Sequence, residues 1–224
     1  MKDVVTGNNK GFTLIEMLVA LLLVTIVLTV VSGTSFSTRR NLDEALNDIE
    51  RAVRFSVDEA ALRNAMIRVR FKFDEDPQTW SVEFGPNGNF VLPPISQAVS
   101  QSKSEEEKEN KDLDELNKKF SKVREFQDSD REFPMGVRVV GVATTLTQAM
   151  LLDGDNSLYI YPTGEKDSAI IIVASDDEIA SLKISPFTMD IEREYHEIDL
   201  SNDVDITEAQ IALAERIYQE WQKN

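Results

Sequence analysis

Lys10-Gly11-Phe12-Thr13-Leu14-Ile15-Glu16-Met17-Leu18-Val19 opens the stretch that decides the fold, because from Leu14 to Val31 only Glu16, Thr25 and Thr29 interrupt an apolar run. From Phe12 to Gly33 that run reaches, at about 1.5 Å per residue in a helix, the roughly 30 Å of a hydrocarbon core. Ser32-Gly33-Thr34-Ser35 then restores polarity. A carboxylate inside such a run is expensive unless something pairs with it or neutralises it, so Glu16 marks a functional position.

A secretory signal peptide would have a shorter apolar core and a small-x-small cleavage site, neither of which fits a run this long with a carboxylate in its first turn. Lys2 and Lys10 make the leader basic. By the positive-inside bias this keeps the leader cytoplasmic and sends the bulk of the chain across the membrane. Glu16 lies four residues after Phe12, on the same helical face. If the chain were cut after Gly11, the new ammonium of Phe12 could offset the carboxylate. The ammonium of a neighbouring copy could do the same, and so could snorkelling of the side chain to the interface. The residues alone leave these three readings open.

Composition narrows the function classes. The 224 residues hold 24 Lys plus Arg against 40 Asp plus Glu, a formal net charge of -16. Nucleic-acid binding, which needs clustered cations to displace counterions, is not expected. There is no cysteine, so disulfides, thiolate metal sites and cysteine nucleophiles are ruled out. His196 is the sole histidine and sits among acids, and no glycine-rich phosphate loop follows a strand. Asp153-Gly154-Asp155-Asn156 offers oxygens to calcium but lacks the remaining ligands of a full loop, and it reads as a turn. The expectation is a protein that is not an enzyme and carries no cofactor or metal.

Beyond Arg39-Arg40 the pattern becomes amphipathic: Leu42, Leu46, Ile49, Val53, Val57 and Ala60 recur with a 3.6-residue period, and no proline occurs from Phe12 to Met66. One long helix is expected, with residues 12–35 in the membrane and 36–66 packed on a sheet. The period then drops to two. Ile67, Val69, Phe71 and Phe73 alternate with Arg68, Arg70 and Lys72, and Trp80, Val82 and Phe84 alternate again before a turn at Gly85-Pro86-Asn87-Gly88 and a further strand at 90–92. This gives a first antiparallel block at 67–94. Residues 95–132 form a charged insertion, with 11 acids and 8 bases from Gln101 to Glu132. Within it the stripe Leu113, Leu116, Phe120 and Val123 predicts a helix over about 111–126 that rests on the domain. A second antiparallel meander is expected over 133–205, using 136–140, 158–161, 169–173, 182–184 and 189–191. A terminal helix over 206–224 would open on Thr207 with capping-box spacing to Gln210, and Trp221 would fix it to the body or to a neighbour. Asp176 to Glu208 holds 11 acids against Lys183 and Arg193, read as a solvated surface.

Gly11-Phe12-Thr13-Leu14-Ile15-Glu16, with the basic leader and the apolar helix behind it, resembles the signal of type IV prepilins and of the pseudopilins of type II secretion systems. The resemblance implies an α+β, pilin-like fold with a long N-terminal helix on antiparallel sheets. It implies removal of a leader over 1–11 by prepilin peptidase between Gly11 and Phe12, and N-methylation of Phe12. Glu16 would pair with the terminal amine of an adjacent subunit during assembly on an inner-membrane platform. The implied partners are the peptidase, the platform, other pilin or pseudopilin subunits and the lipid bilayer. The implied place is the bacterial inner membrane, single-pass, with the C-terminal domain periplasmic. A looser similarity to minor pseudopilins of the secretion-protein-H type rests on Glu50 to Asn64, the Arg-rich strand from Ile67 to Phe73, the strand from Trp80 to Phe84 and the turn Tyr161-Pro162-Thr163-Gly164. The function implied is a structural, minor subunit of a pseudopilus or type IV pilus for protein secretion. The rival is a membrane-anchored interaction domain that is processed in the same way but stays outside a filament.

Overall fold

The computed structural model describes residues 13–87, 90, 92, 111–124, 130–147, 149–176, 178–198 and 205–223, and only the backbone of 28–37 within the first helix. The chain divides into two compact units, Met1–Ser37 and Thr38–Asn224. Helix α1 runs Leu14–Arg63. It stops because Asn64 takes a left-handed conformation, φ 48°, which a short amide side chain tolerates at a helix C-terminus. The chain turns at once into a strand, so the helix ends a little before the Met66 expected from sequence.

In the second unit the predicted stripe from Leu42 to Ala60 is buried throughout, and two antiparallel sheets share it. The first sheet is built from β1 (Ala65–Lys72), β2 (Thr79–Asn87), β3 (Ser121–Lys122), β4 (Arg131–Glu132) and β6 (Asp155–Ile160) in the order β3-β2-β1-β6, with β4 also on β2. The second contains β5 (Arg138–Thr144), β7 (Ala169–Ala174), β8 (Glu178–Ile184) and β9 (Ile191–Glu197) in the order β5-β7-β8-β9. The fold is α+β with antiparallel sheets and a C-terminal helix, α2 (Ile206–Trp221).

Register explains a departure from the expected meander. β6 leaves the second block and pairs with β1, Ile160 opposite Ile67 and Leu158 opposite Val69. Its two inward apolar residues thereby extend the face that lies on α1. Gly85-Pro86-Asn87 is part of β2, and the Phe90 N–H donates to the Asn87 carbonyl at 2.9 Å. Phe90 and Leu92 form no strand and pack on the outer side of the sheet instead.

β7 is apolar at every position because both of its faces are covered. Ala169, Ile171 and Val173 join the α1 side, whereas Ile170, Ile172 and Ala174 meet Ala214 and Ile217 of α2. α2 begins one residue before Thr207, with Asp205 as its cap, accepting the Thr207 N–H at 2.8 Å. That bond holds the Asp205 carboxyl below its usual range. The predicted capping box fails because Gln210 is used elsewhere: buried, it accepts from Arg138 Nε at 3.0 Å and donates to the Ser175 carbonyl at 2.7 Å.

Among the described residues the insertion helix covers 111–117 and ends well short of the expected 126. Its chain then doubles back as β3, with the Val123 N–H donating to Val82 at 2.9 Å, so Leu116, Phe120 and Val123 are all buried. Phe120 lies where a side chain on Gly85 would collide with its ring. It covers the otherwise polar outer face of the first sheet. There the guanidinium of Arg68 stands 4.1 Å over the Phe120 ring and donates to Glu83 at 2.7 Å. At the far end of β1, Lys72 donates to Asp130 at 2.7 Å, and Lys122 approaches the same carboxylate at 3.0 Å. Burial works to raise Asp130, but these two ammonium groups outweigh it and hold the carboxyl below its usual range.

The Arg68–Glu83 pair is nearly dry, with side-chain exposures of 2% and 6%. Breaking a buried pair strands a charge, whereas replacing both partners removes the desolvation cost as well. Arg68→Met is expected to cost about 3 kcal/mol in chemical denaturation, and Arg68→Met with Glu83→Leu to stay within about 1 kcal/mol of the parent chain.

Candidate functional site

The first turn of α1 is held by its own residues. The Thr13 N–H donates to Glu16 Oε2 at 3.4 Å, the Glu16 N–H donates to Thr13 Oγ1 at 3.3 Å, and the Met17 N–H reaches the Thr13 carbonyl at 3.2 Å. This reciprocal arrangement is a capping box, in which hydroxyl and carboxylate each satisfy an orphan backbone donor. A negative side chain in the first turn also opposes the positive end of the helix dipole. Thr13 was not singled out from the sequence, although the Thr-x-x-Glu spacing of Thr13 and Glu16 is the signal that finds it.

Downstream, the surface is apolar on every side: Leu14 is 83% exposed, and Ile15, Leu21 and Val27 each exceed half. A helix apolar all round is stable only when other apolar matter surrounds it. Among the described residues no helix is long and apolar enough to cross a membrane. The side chains described at this end run from Leu14 to Val27, which extends about 21 Å and falls short of the roughly 30 Å core. The expected span over 12–35 is therefore not found at its full length, although the apolar sequence itself continues to Val31.

Residues 6–32 match the family model of the prokaryotic N-terminal methylation motif, the signal of type IV pilins and pseudopilins. The chain carries that signal. No curated protein and no solved structure matches it. The signal implies anchoring in a bacterial membrane, processing by prepilin peptidase and assembly with other pilin subunits. Gly11 and Phe12, the expected cleavage and methylation residues, lie outside the described residues; Glu16, the third residue of the expected site, is the one whose geometry is on view.

The remaining residues picked from sequence fall in the second unit. Trp221 is half-buried against the α2 side of the second sheet and stacks on Tyr218, ring centroids 6.1 Å apart. His196 sits on β9 opposite Ile179, its Nε2 3.9 Å from Glu194. The oxygens of Asp153-Gly154-Asp155-Asn156 are largely committed. Asp155 pairs with Arg70, Asn156 Oδ1 accepts the Ser157 N–H at 2.7 Å, and Gly154, at φ 69°, makes the turn. Among the described residues no group of three His, Cys, Asp or Glu is placed to hold a metal ion.

The turn at Tyr161-Pro162-Thr163-Gly164 forms with Gly164 at φ 85°, and the Gly164 N–H closes onto the Tyr161 carbonyl at 2.9 Å. It folds Asp167 into the protein. The carboxylate accepts the Tyr159 N–H at 3.0 Å and the Tyr161 hydroxyl at 3.2 Å, yet burial dominates and pushes its pKa up to about 6. A raised carboxyl favours the native state when protonated. Its contribution is complete below the unfolded value near 4 and disappears as pH rises through about 6. Asp167→Asn cannot titrate, so its stability relative to the parent should rise by up to about 3 kcal/mol between pH 4 and pH 7.5 in paired denaturation curves; a difference that is flat with pH would contradict the burial argument.

Proposed function

We propose that this chain is a structural subunit of a pseudopilus or type IV pilus, serving protein secretion in the manner of the minor pseudopilins. The observation that carries the reading is the methylation signal over residues 6–32, with its carboxylate fixed at the start of an exposed apolar helix. In the uncut precursor the Glu16 carboxylate accepts the Thr13 N–H at the start of the helix. Cleavage between Gly11 and Phe12 creates an ammonium next to the positive end of the helix dipole, and N-methylation of Phe12 keeps that charge. Glu16 is the one acidic residue in the first turn of α1. It is then shared between its own helix end and the amine of an adjacent subunit, and this makes assembly the step that completes its pairing.

The basic leader supports retention of residues 1–11 on the cytoplasmic side and a periplasmic C-terminal domain. Removing that leader, which carries Lys2, Lys10 and Asp3, changes the formal net charge from -16 to -17. A mature chain of that charge has no affinity for nucleic acid on electrostatic grounds. The proposed role is packing and assembly, with no catalytic step and no cofactor. The partners are prepilin peptidase, fellow subunits, the inner-membrane platform and the bilayer. The similarity of the Arg-rich β1 and of the Tyr161–Gly164 turn supports the secretion-protein-H branch.

The rival reading, a processed and membrane-anchored interaction domain outside any filament, differs in what it asks of Glu16. Mass spectrometry of the N-terminal peptide from membranes should find Phe12 first and N-methylated; an intact Met1 to Gly11 leader on the mature chain would sink the processing step. Glu16→Leu should leave that cleavage in place and abolish recovery of the chain in sheared filaments. Unchanged recovery would favour the rival.

A further inference from the structure

The hairpin that joins β8 to β9, residues 185–190, closes on the pair Ile184 and Ile191. It carries Phe187, 80% exposed, and close to it the exposed Met189. A single apolar side chain in water needs no explanation. The way this one is held does. Lys166 is only 4% exposed, and it takes both carbonyls that flank Phe187: its backbone N–H donates to Pro186 at 3.3 Å and its Nζ donates to Thr188 at 2.6 Å. Among the described residues no carboxylate pairs with that ammonium, and burial, followed by the Arg54 guanidinium, pushes the amine below its usual range. Burying a charge against a neutral carbonyl costs free energy. Both bonds go to backbone, so a polar residue at 187 would close the hairpin equally well. The clamp fixes the loop, and the phenylalanine is left over.

We propose that this hairpin is a docking knob, with Phe187 as its anchor, for a folded protein other than this chain that offers an apolar pocket rimmed by Lys or Arg. A loop fixed before binding loses less conformational freedom on docking, and a buried aromatic ring is a common anchor of such contacts. The basic rim follows from the neighbours of the knob. Glu165 beside the clamp, Asp190 on the hairpin and Glu192 at the start of β9 are exposed, and none has an ion-pair partner among the described residues. The same three acids disfavour two other occupants. An anionic bilayer surface repels them. A second copy meets them with more acid: two cavities of this chain, of about 540 and 720 Å³, are each lined by more acids than bases, with Asp74, Asp114 and Asp155 in the first and Asp74, Glu75, Asp76 and Asp176 in the second. The knob lies at the end of the second unit where α1 stops, because Ile67 pairs with Ile160 and Ile160 bridges to Lys166. Docking through it requires no neighbouring copy of the chain.

Full-length chains with p-benzoylphenylalanine in place of Phe187 are irradiated in the cells that produce the protein, and the cross-linked peptide is sequenced. The expected adduct joins residue 187 to one polypeptide other than this chain, at a pocket residue with Lys or Arg beside it. Asp190→Lys combined with Glu192→Lys should reduce that adduct about tenfold. Lys166→Met should reduce it as well while thermal unfolding shows the chain still folded, since the variant removes a buried charge and keeps an apolar stem. A role for Lys166 in folding alone would move the unfolding midpoint and leave the adduct, which would overturn the clamp. With the captured polypeptide purified, Phe187→Ala should weaken its binding to the full-length chain about thirtyfold. An adduct only to lipid or only to a second copy, an equal yield from the same photoprobe in place of the exposed Glu208 on α2, an adduct indifferent to the charge reversal, or no adduct would each overturn the proposal.

Discussion

One buried helical stripe, Leu42 to Ala60, holds the second unit together, because both sheets spend their inner faces on it. A single 3.6-period face offers limited width, and two sheets can share it only if each presents a strict period-two pattern toward it. Ile67, Val69 and Phe71 of β1 and Ala169, Ile171 and Val173 of β7 do so. The displacement of β6 into the first sheet follows from the same constraint, since Leu158 and Ile160 would otherwise leave that sheet too narrow to cover its side of the helix.

The outward faces are solved in two different ways. Behind the second sheet, α2 supplies Ala214 and Ile217, which makes β7 a strand with no solvated face. Behind the first sheet the face is polar, and the charged insertion covers it. Phe120 closes over Arg68, and Lys72 and Lys122 converge on Asp130. Charged residues there do the work of a core, but only in compensated sets, because an unpaired charge at that depth would cost more than the cover returns. The β9 edge is tied to α1 by Arg193, which donates to Glu50 and Asn47. There burial works to raise Glu50, and the Arg193 and Arg54 guanidinium groups overcome it and hold the carboxyl low.

Much of this was legible in the chain. The two periods, the position of most strands, the apolar run and the isolated carboxylate are local patterns, each complete within about twenty residues. The errors came where a residue had two competent uses. Gln210 has the spacing of a capping partner, but a buried amide is worth more when it joins Arg138 to Ser175, so Asp205 caps the helix. Gly85-Pro86-Asn87 has turn chemistry, yet β2 continues through it because Ala65 pairs with Asn87 and Gly85 must leave room for Phe120. The insertion reads from its stripe as one helix resting on the domain; once Gly85 and Tyr159 are in place, the chain gains more by breaking at 117 and pairing with β2.

By itself the sequence determined the signal at the N-terminus, the α+β class and the inward faces of α1 and β1. Those properties depend on the order of polar and apolar residues along a few turns or pleats. Only the tertiary structure decided which sheet β6 joins, what covers Arg68 and what Gln210 binds. Each of those outcomes is a competition between partners whose relative worth is set by burial, and burial is a property of the assembled chain.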